Sequence, residues 1–212
     1  SVALDLGSVV HAITEEVAQE KMKGEEVVEE KAISKIKDKW IFNSYQSQSE
    51  ENTAMERAEQ MVQTYVKWEK ETKNELVGLE VPFDVKIGDI TFTGRIDRLE
   101  KNPDGKYEVV DFKSGKTVKS KNKAKIDPQL NIYAKAVEKL KGELPVKASL
   151  FYVEKDKMVV YPVTEESVNE TMDTIIGMTK EILSENFEAT PSYNACMFCS
   201  YQSICDAKVT EE

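Results

Sequence analysis

The sequence is poor in cysteine, histidine and tryptophan. Its 212 residues hold three cysteines, one histidine and two tryptophans. An odd number of cysteines, all near the C-terminus at Cys196, Cys199 and Cys205, excludes a disulfide framework. It points to a reducing, intracellular (cytoplasmic) setting in which the thiols serve a metal or a cluster. No stretch approaches the ~18 uncharged apolar residues of a transmembrane helix, so no membrane span is expected. No basic segment leads into an apolar run at the N-terminus, so no signal peptide is expected. The chain starts at Ser1 without methionine, which predicts a fragment of a longer protein. Internal repeats and low-complexity tracts are also missing, which argues against repeat and disordered architectures.

Hydrophobic residues make up 40% of the chain and charged residues 32%, a balance that predicts a soluble globular protein. The length suits one compact domain with a small appendage. A net charge of −10 argues against unspecific nucleic-acid binding by the molecule as a whole. The charge is uneven, however: Lys113, Lys116, Lys119, Lys121, Lys123 and Lys125 occur in 113–125 without an acidic residue. By itself this run reads equally well as a solvated loop.

Hydrophobic periodicity predicts helices at 7–23, 25–40 and 53–73, with Asn43–Asn52 as a polar loop. In the third helix Ala54, Ala58, Met61, Val62, Tyr65 and Val66 form one apolar stripe, read as core packing only. The period then changes to two. Strands are expected at 76–87, 90–99 and 107–113, with Gly88-Asp89 and Asn102-Pro103-Asp104-Gly105 as turns. A helix at 127–141 with Gly142 as its C-cap precedes strands at 146–153 and 158–163 and a helix at 165–185. The tail from Asn186 reads as irregular. The expected class is mixed α/β: a helical region over 1–75, a sheet-and-helix core over 76–185 and a cysteine-bearing tail over 186–212.

The chemistry concentrates in Gly94-Arg95-Ile96-Asp97 and Val109-Val110-Asp111-Phe112-Lys113. Asp111 and Lys113 are two apart on a strand and share a face. If Gly105 takes the positive φ of a bulged turn, Asp97 falls directly opposite Asp111, with Cβ atoms ~5 Å apart. A plain two-residue turn would face them apart. Two carboxylates so close repel unless a cation lies between them, and oxygen ligands suit Mg²⁺ or Mn²⁺. Lys113 would then stand beside the metal and stabilise charge developing on a phosphate. An ordinary surface ion pair of Asp111 with Lys113 satisfies the same spacing.

Gly94-Arg95-Ile96-Asp97, Asp111-Phe112-Lys113 and Gln129-xxx-Tyr133 together resemble the RecB-type branch of the PD-(D/E)XK nucleases. Gly7-Ser8-Val9-Val10-His11 resembles the G-x-x-x-H element of that branch. Glu80 resembles the acidic residue of the strand before G-R-I-D, a place for which Glu75 competes. Cys196-xx-Cys199 with Cys205 resembles the cysteine tail of its iron–sulfur members, found in AddB-type helicase–nucleases and CRISPR adaptation exonucleases. These elements run in the family's order from residue 7 to residue 205.

The resemblance implies a restriction-endonuclease-like core, a central mixed sheet flanked by helices. It implies His11, Asp97, Asp111 and the Phe112 carbonyl as metal ligands, with Lys113 acting on the attacking water and Glu80 assisting at the metal. Gln129 and Tyr133, four apart on one helix face, would orient Lys113 and touch the DNA backbone. Lys116, Lys119, Lys121, Lys123 and Lys125 would face the DNA. The implied activity is Mg²⁺- or Mn²⁺-dependent hydrolysis of DNA phosphodiester bonds, as an exonuclease acting on single strands or duplex ends. A helicase domain in the same polypeptide or a partner subunit would accompany it in DNA repair or recombination. A catalytically inactive DNA-binding or assembly module is the alternative, against which Asp97, Asp111 and Lys113 all being present argues.

A 4Fe–4S cluster takes four thiolates, and this chain has three. In the resembling subgroup the fourth cysteine lies upstream of G-x-x-x-H, so the cluster is expected in the parent protein and incomplete in this fragment. A zinc site and unoccupied thiols are the other readings of the three cysteines.

Overall fold

A computed structural model describes residues 2–41, 45–115, 117–125, 127–185 and 187–210, the side chains at 2–4 excepted. The chain divides into two compact units, Ser1–Thr174 and Ile175–Glu212. The class is mixed α/β, as expected. Helices α1 (Val2–Met22), α2 (Glu29–Lys39) and α3 (Gln48–Glu71) precede strands β1 (Glu75–Ile87), β2 (Ile90–Lys101) and β3 (Tyr107–Lys113). Helices α4 (Lys121–Lys125) and α5 (Pro128–Lys141), strands β4 (Lys147–Tyr152) and β5 (Lys157–Pro162), and helices α6 (Glu165–Leu183) and α7 (Tyr193–Met197) follow.

The five strands form one sheet in sequence order. All neighbours are antiparallel except β3 and β4, which run parallel because α4 and α5 carry the chain back between them. Both faces are covered. One core holds Leu6, Val9 and Ile13 of α1, Ile36 of α2, and Met61, Val62 and Tyr65 of α3 against Val110 and Phe151 of the sheet. The other holds Leu130, Ala136 and Val137 of α5 against Leu99, Val109, Ala148 and Leu150. A helical stripe on one side and alternating strand residues on the other bury apolar area in both layers, the main favourable contribution to folding.

Several elements differ from the sequence reading; the second helix, expected over 25–40, spans Glu29–Lys39. Helix α3 starts at Gln48, inside the expected polar loop, because the Ser47 hydroxyl accepts from Glu50 N–H and the Glu50 carboxylate accepts from Gln46 N–H. Residues 43 and 44 of that loop lie outside the described residues. Helix α1 reaches back to Val2, with Leu6 buried. The lysine run forms a turn of helix over the buried Ala124. The tail contains α7, capped by Ser192, whose hydroxyl accepts from Ala195 N–H.

The β2–β3 turn decides the register that places the site. Asn102 N–H donates to Lys106 O at 2.9 Å, and Gly105 takes φ +75°. The Asn102 side chain accepts from Asp104 N–H and Lys106 N–H. This is the bulged form, and it pairs Arg98 with Val110, Leu99 with Val109 and Glu100 with Glu108.

Candidate active site

Continuing the β2–β3 register one step beyond Arg98 and Val110 sets Asp97 across from Asp111. The strands stay joined there by a side chain, since Phe112 N–H donates to Asp97 Oδ2 at 3.2 Å. On the other side of β2, Leu79 pairs with Arg98 and Val81 with Ile96, so Glu80 lies across from Asp97. Glu80 holds φ +46°, a left-handed conformation costing roughly 1–2 kcal/mol for a residue with a Cβ. Ladder pairs on both sides impose it. Such strain concentrates at functional positions.

His11 comes from α1. Gly7 stands one turn before it, where a Cβ would lie 2.7 Å from Ser114 Oγ. The missing side chain lets α1 close on the segment that follows β3. His11 Nε2 then lies 3.5 Å from Glu80 Oε1 and 3.7 Å from Asp97 Oδ2. His11, Glu80 and Asp97 bring one ligand atom each within 4.8 Å of one another. Their side chains are 39%, 22% and 17% exposed, so the cluster is open to solvent.

Asp111 stands apart from that trio, only 1% exposed. Its Oδ2 is 2.7 Å from Lys113 Nζ but is aligned with no hydrogen-bond donor. From Lys113 a chain of contacts leads back to Asp97. Lys113 Nζ donates to Gln129 Oε1 at 2.9 Å, and Gln129 Nε2 donates to the Tyr133 hydroxyl at 2.8 Å. The Tyr133 hydroxyl reaches Asp97 Oδ1 at 3.4 Å. Asp127 caps α5 by accepting from Gln129 N–H and Leu130 N–H, which fixes where Gln129 starts. Thus α5, β3 and β2 hold one polar chain running Asp111–Lys113–Gln129–Tyr133–Asp97.

The electrostatics show strain without a cation. Burial, with the charge of Asp97 added, pushes the Asp111 carboxyl up to about 7, against the pull of Lys113. Burial and Asp97 also raise Glu80. The Asp97 carboxylate, with Glu80 behind it, raises the His11 imidazole against the effect of burial. One imidazole nitrogen and two carboxylates form a donor set for a divalent cation. The unaligned, buried Asp111 oxygen marks a second place where positive charge is wanted. These residues fit a divalent metal.

Of the lysines, Lys116 lies outside the described residues. Lys119 is engaged: its ammonium pairs with the buried Asp127, which raises its pKa. Lys121, Lys123 and Lys125 are exposed on α4. In the tail, Cys196 is buried, Cys199 exposed and Cys205 between the two. The three sulfurs do not gather within 4.8 Å, as ligands of a single tetrahedral ion would. They number one fewer than a 4Fe–4S cluster takes. The described residues therefore present no complete thiolate set.

The sequence reading missed the charged network behind the trio. Arg98 is fully buried and pairs with Glu69 through both ends of its guanidinium, at 2.6 and 2.9 Å. Its Nε reaches Glu100 at 2.6 Å, and Trp68 lies 4.8 Å from its Cζ. Tyr65 donates to Glu69 at 2.6 Å, and Lys21 of α1 pairs with Glu69 at 2.9 Å. The signal was present: Glu69 follows Tyr65 by four residues on the apolar stripe of α3. A carboxylate on a buried face needs a cationic partner.

Comparison with known proteins bears on this geometry. The model of the PD-(D/E)XK nuclease superfamily matches residues 1–206. No curated protein matches. Among solved structures, one described as "Crystal structure of SSO0001" is 17% identical over 95% of this chain and 86% of that one, with a TM-score of 0.44.

Proposed function

We propose that this chain, which belongs to the PD-(D/E)XK nuclease superfamily, hydrolyses DNA phosphodiester bonds with Mg²⁺ or Mn²⁺. The observation that carries the reading is the convergence of His11, Glu80 and Asp97 beside the Asp111–Lys113–Gln129–Tyr133 chain. His11, Glu80 and Asp97 would hold the metal, with Asp111 and the Phe112 carbonyl completing its surroundings. A divalent ion there supplies Lewis acidity toward a phosphate oxygen and makes water nucleophilic at neutral pH.

The chain's own groups do the rest. Lys113 Nζ, held between Asp111 and Gln129, donates to the phosphoryl oxygen on which negative charge grows. Phe112 N–H and the Tyr133 hydroxyl fix the two oxygens of Asp97. Gln129 holds Lys113 and Tyr133 at once, so both keep their places before substrate arrives. Exposed Lys121, Lys123 and Lys125 offer the local positive charge that an acidic protein needs to meet a phosphate backbone.

Exonuclease action, the RecB-type branch and association with a helicase inside the cell form the finer part of the proposal. It is supported by the order of the motifs and by the place Gly7 makes for His11. An iron–sulfur centre belongs to the same finer reading. It finds three thiols here and takes no part in the proposed chemistry.

The test is digestion of DNA labelled at its 5′ or 3′ end, with Mg²⁺ or Mn²⁺, beside Asp111→Asn. Metal-dependent release of label by the native chain, lost in Asp111→Asn and in chelator, is expected. A folded native chain that binds DNA but releases no label would leave the non-catalytic binding module instead.

A further inference from the structure

The lysines between β3 and α5 do not all face the same way. Lys121, Lys123 and Lys125 are exposed on α4. Lys119 turns both of its polar groups inward. Its backbone N–H donates to the Tyr152 hydroxyl at 3.0 Å, and its ammonium pairs with the Asp127 carboxylate. Both partners are buried, Tyr152 at 3% and Asp127 at 4% exposure. Val118, next in the chain, packs against the core that α5 shares with the sheet. The segment before α4 is therefore pinned by a backbone contact, an apolar contact and an ion pair. A lysine that serves only to meet a phosphate backbone needs none of these.

We propose that Lys119 is a positioning residue for the reaction: it locks the Asp127 cap of α5, and through that cap holds Gln129 and Lys113 in place. The inference rests on the nuclease reading for the chemistry and adds a residue that acts on it through others. The two oxygens of Asp127 have separate tasks. Oδ1 accepts from Gln129 N–H at 3.0 Å and from Leu130 N–H at 3.3 Å. Oδ2 takes the Lys119 ammonium. A carboxylate held at both oxygens keeps its orientation in the cap. Without the ammonium, Asp127 is a buried charge short of its cation, and turning toward water competes with capping. The first turn of α5 then loosens at Gln129 and Leu130.

Gln129 is the side chain that holds Lys113 Nζ at 2.9 Å and the Tyr133 hydroxyl at 2.8 Å. Tyr152, which takes the Lys119 backbone N–H, is the partner of Lys113 in the β3–β4 ladder. The clamp thus meets Lys113 from two elements, α5 and β4. Asp127, with a smaller contribution from Asp111, raises the Lys119 ammonium above its ordinary value against burial, so the clamp stays charged at neutral pH. A misplacement of about 1 Å at a reacting group can cost ~100-fold in rate, so a loosened first turn is enough to be read in kcat.

The test compares the full native chain with Lys119→Met and Lys119→Arg. It measures cleavage of an end-labelled oligonucleotide in Mn²⁺, the salt dependence of DNA affinity in Ca²⁺, and amide hydrogen exchange without DNA. Lys119→Met is expected to lower kcat about 10- to 100-fold, with KM and the salt slope near native. Exchange at the Gln129 and Leu130 amides should quicken in the same variant. Lys119→Arg should restore both, because a guanidinium can still pair with Asp127. Asp127→Asn keeps an acceptor for the cap and loses the charge; combined with Lys119→Met it should lose no more than the worse single variant.

Native kcat in a Lys119→Met chain that cleaves overturns the inference. So does a loss carried by KM with a smaller salt slope, which would put Lys119 on the DNA. Should Lys119→Met not fold, Lys119→Gln is read in its place. The nuclease reading is scored separately, by cleavage and its loss in Asp111→Asn. If the native chain cleaves nothing, quicker exchange at Gln129 and Leu130 in Lys119→Met keeps the clamp and removes the reaction it serves. Native exchange there overturns the clamp as well.

Discussion

Replacing Glu69 with Gln removes one charge and almost no volume from the network behind the site. In the native chain Arg98 and Lys21 face Glu69 and Glu100, two charges of each sign, with Arg98 and Glu69 fully shielded from solvent. Burial alone would raise Glu69, but Arg98 outweighs it and holds the carboxyl below its ordinary value. Glutamine leaves a buried guanidinium with Glu100 as its one remaining anionic partner. Removing one member of a buried pair costs ~3–5 kcal/mol, and Glu100 at 2.6 Å argues for the lower end. About 3 kcal/mol is roughly a 150-fold change in the folding equilibrium. Urea unfolding followed by tryptophan fluorescence reads it directly, because Trp68 packs on Arg98.

The control is Glu143→Gln, which breaks the exposed pair with Lys106 and should cost no more than ~1 kcal/mol. The pH dependence has a definite sign. Glu69 has a lower pKa folded than unfolded, so its contribution is present above about 4.5 and is lost as pH falls through the folded value. The gap between native and Glu69→Gln should therefore narrow in acid. The network also ties α1, which carries His11, to the residue next to Asp97. Divalent-ion affinity should fall about 10- to 100-fold in the same variant. A loss below ~1 kcal/mol, equal to that of the surface control, would refute the reasoning.

Asp111 should act on stability in the opposite sense. Its carboxyl rises from 3.8 unfolded to about 7 folded, so in chelator the native chain loses stability as pH climbs between those values, and Asp111→Asn does not. Urea melts of both proteins across that window measure the difference, which saturating Mg²⁺ or Mn²⁺ should remove from the native protein. Changing Lys121, Lys123 and Lys125 together to Ala should weaken DNA binding and lower the slope of log affinity against log salt by about 2 to 3. An unchanged slope would take α4 off the DNA. Lys119 is left out because Asp127 already holds its ammonium.

Much of this protein was legible in its sequence. The change from a period of 3.6 to a period of 2 near residue 75 marked where helices yield to the sheet. Asn102-Pro103-Asp104-Gly105 marked a turn that could be bulged or plain, and the bulged form found in the structure fixed the β2–β3 register that sets Asp97 toward Asp111. The four-residue spacing of Gln129 and Tyr133 put both on one face of α5. Such features are set by interactions within a few residues, so pattern alone reports them.

Only tertiary structure decided the remainder. Glu80 gained its place from a left-handed backbone conformation within β1, between residues paired with β2, which no pattern around Val81-Pro82 announces. His11 met its carboxylates because Gly7 lets α1 close on Ser114, more than a hundred residues away in the chain. Glu69 is buried on α3 only because Arg98 of β2 meets its carboxylate. Burial of a charge depends on what covers it, and that is settled only when distant segments pack. The groove between the β1–β2 hairpin and α5 has the same origin, since Phe83 and Gly94 face each other across a hairpin and Ile132 and Tyr133 close the wall from a separate helix.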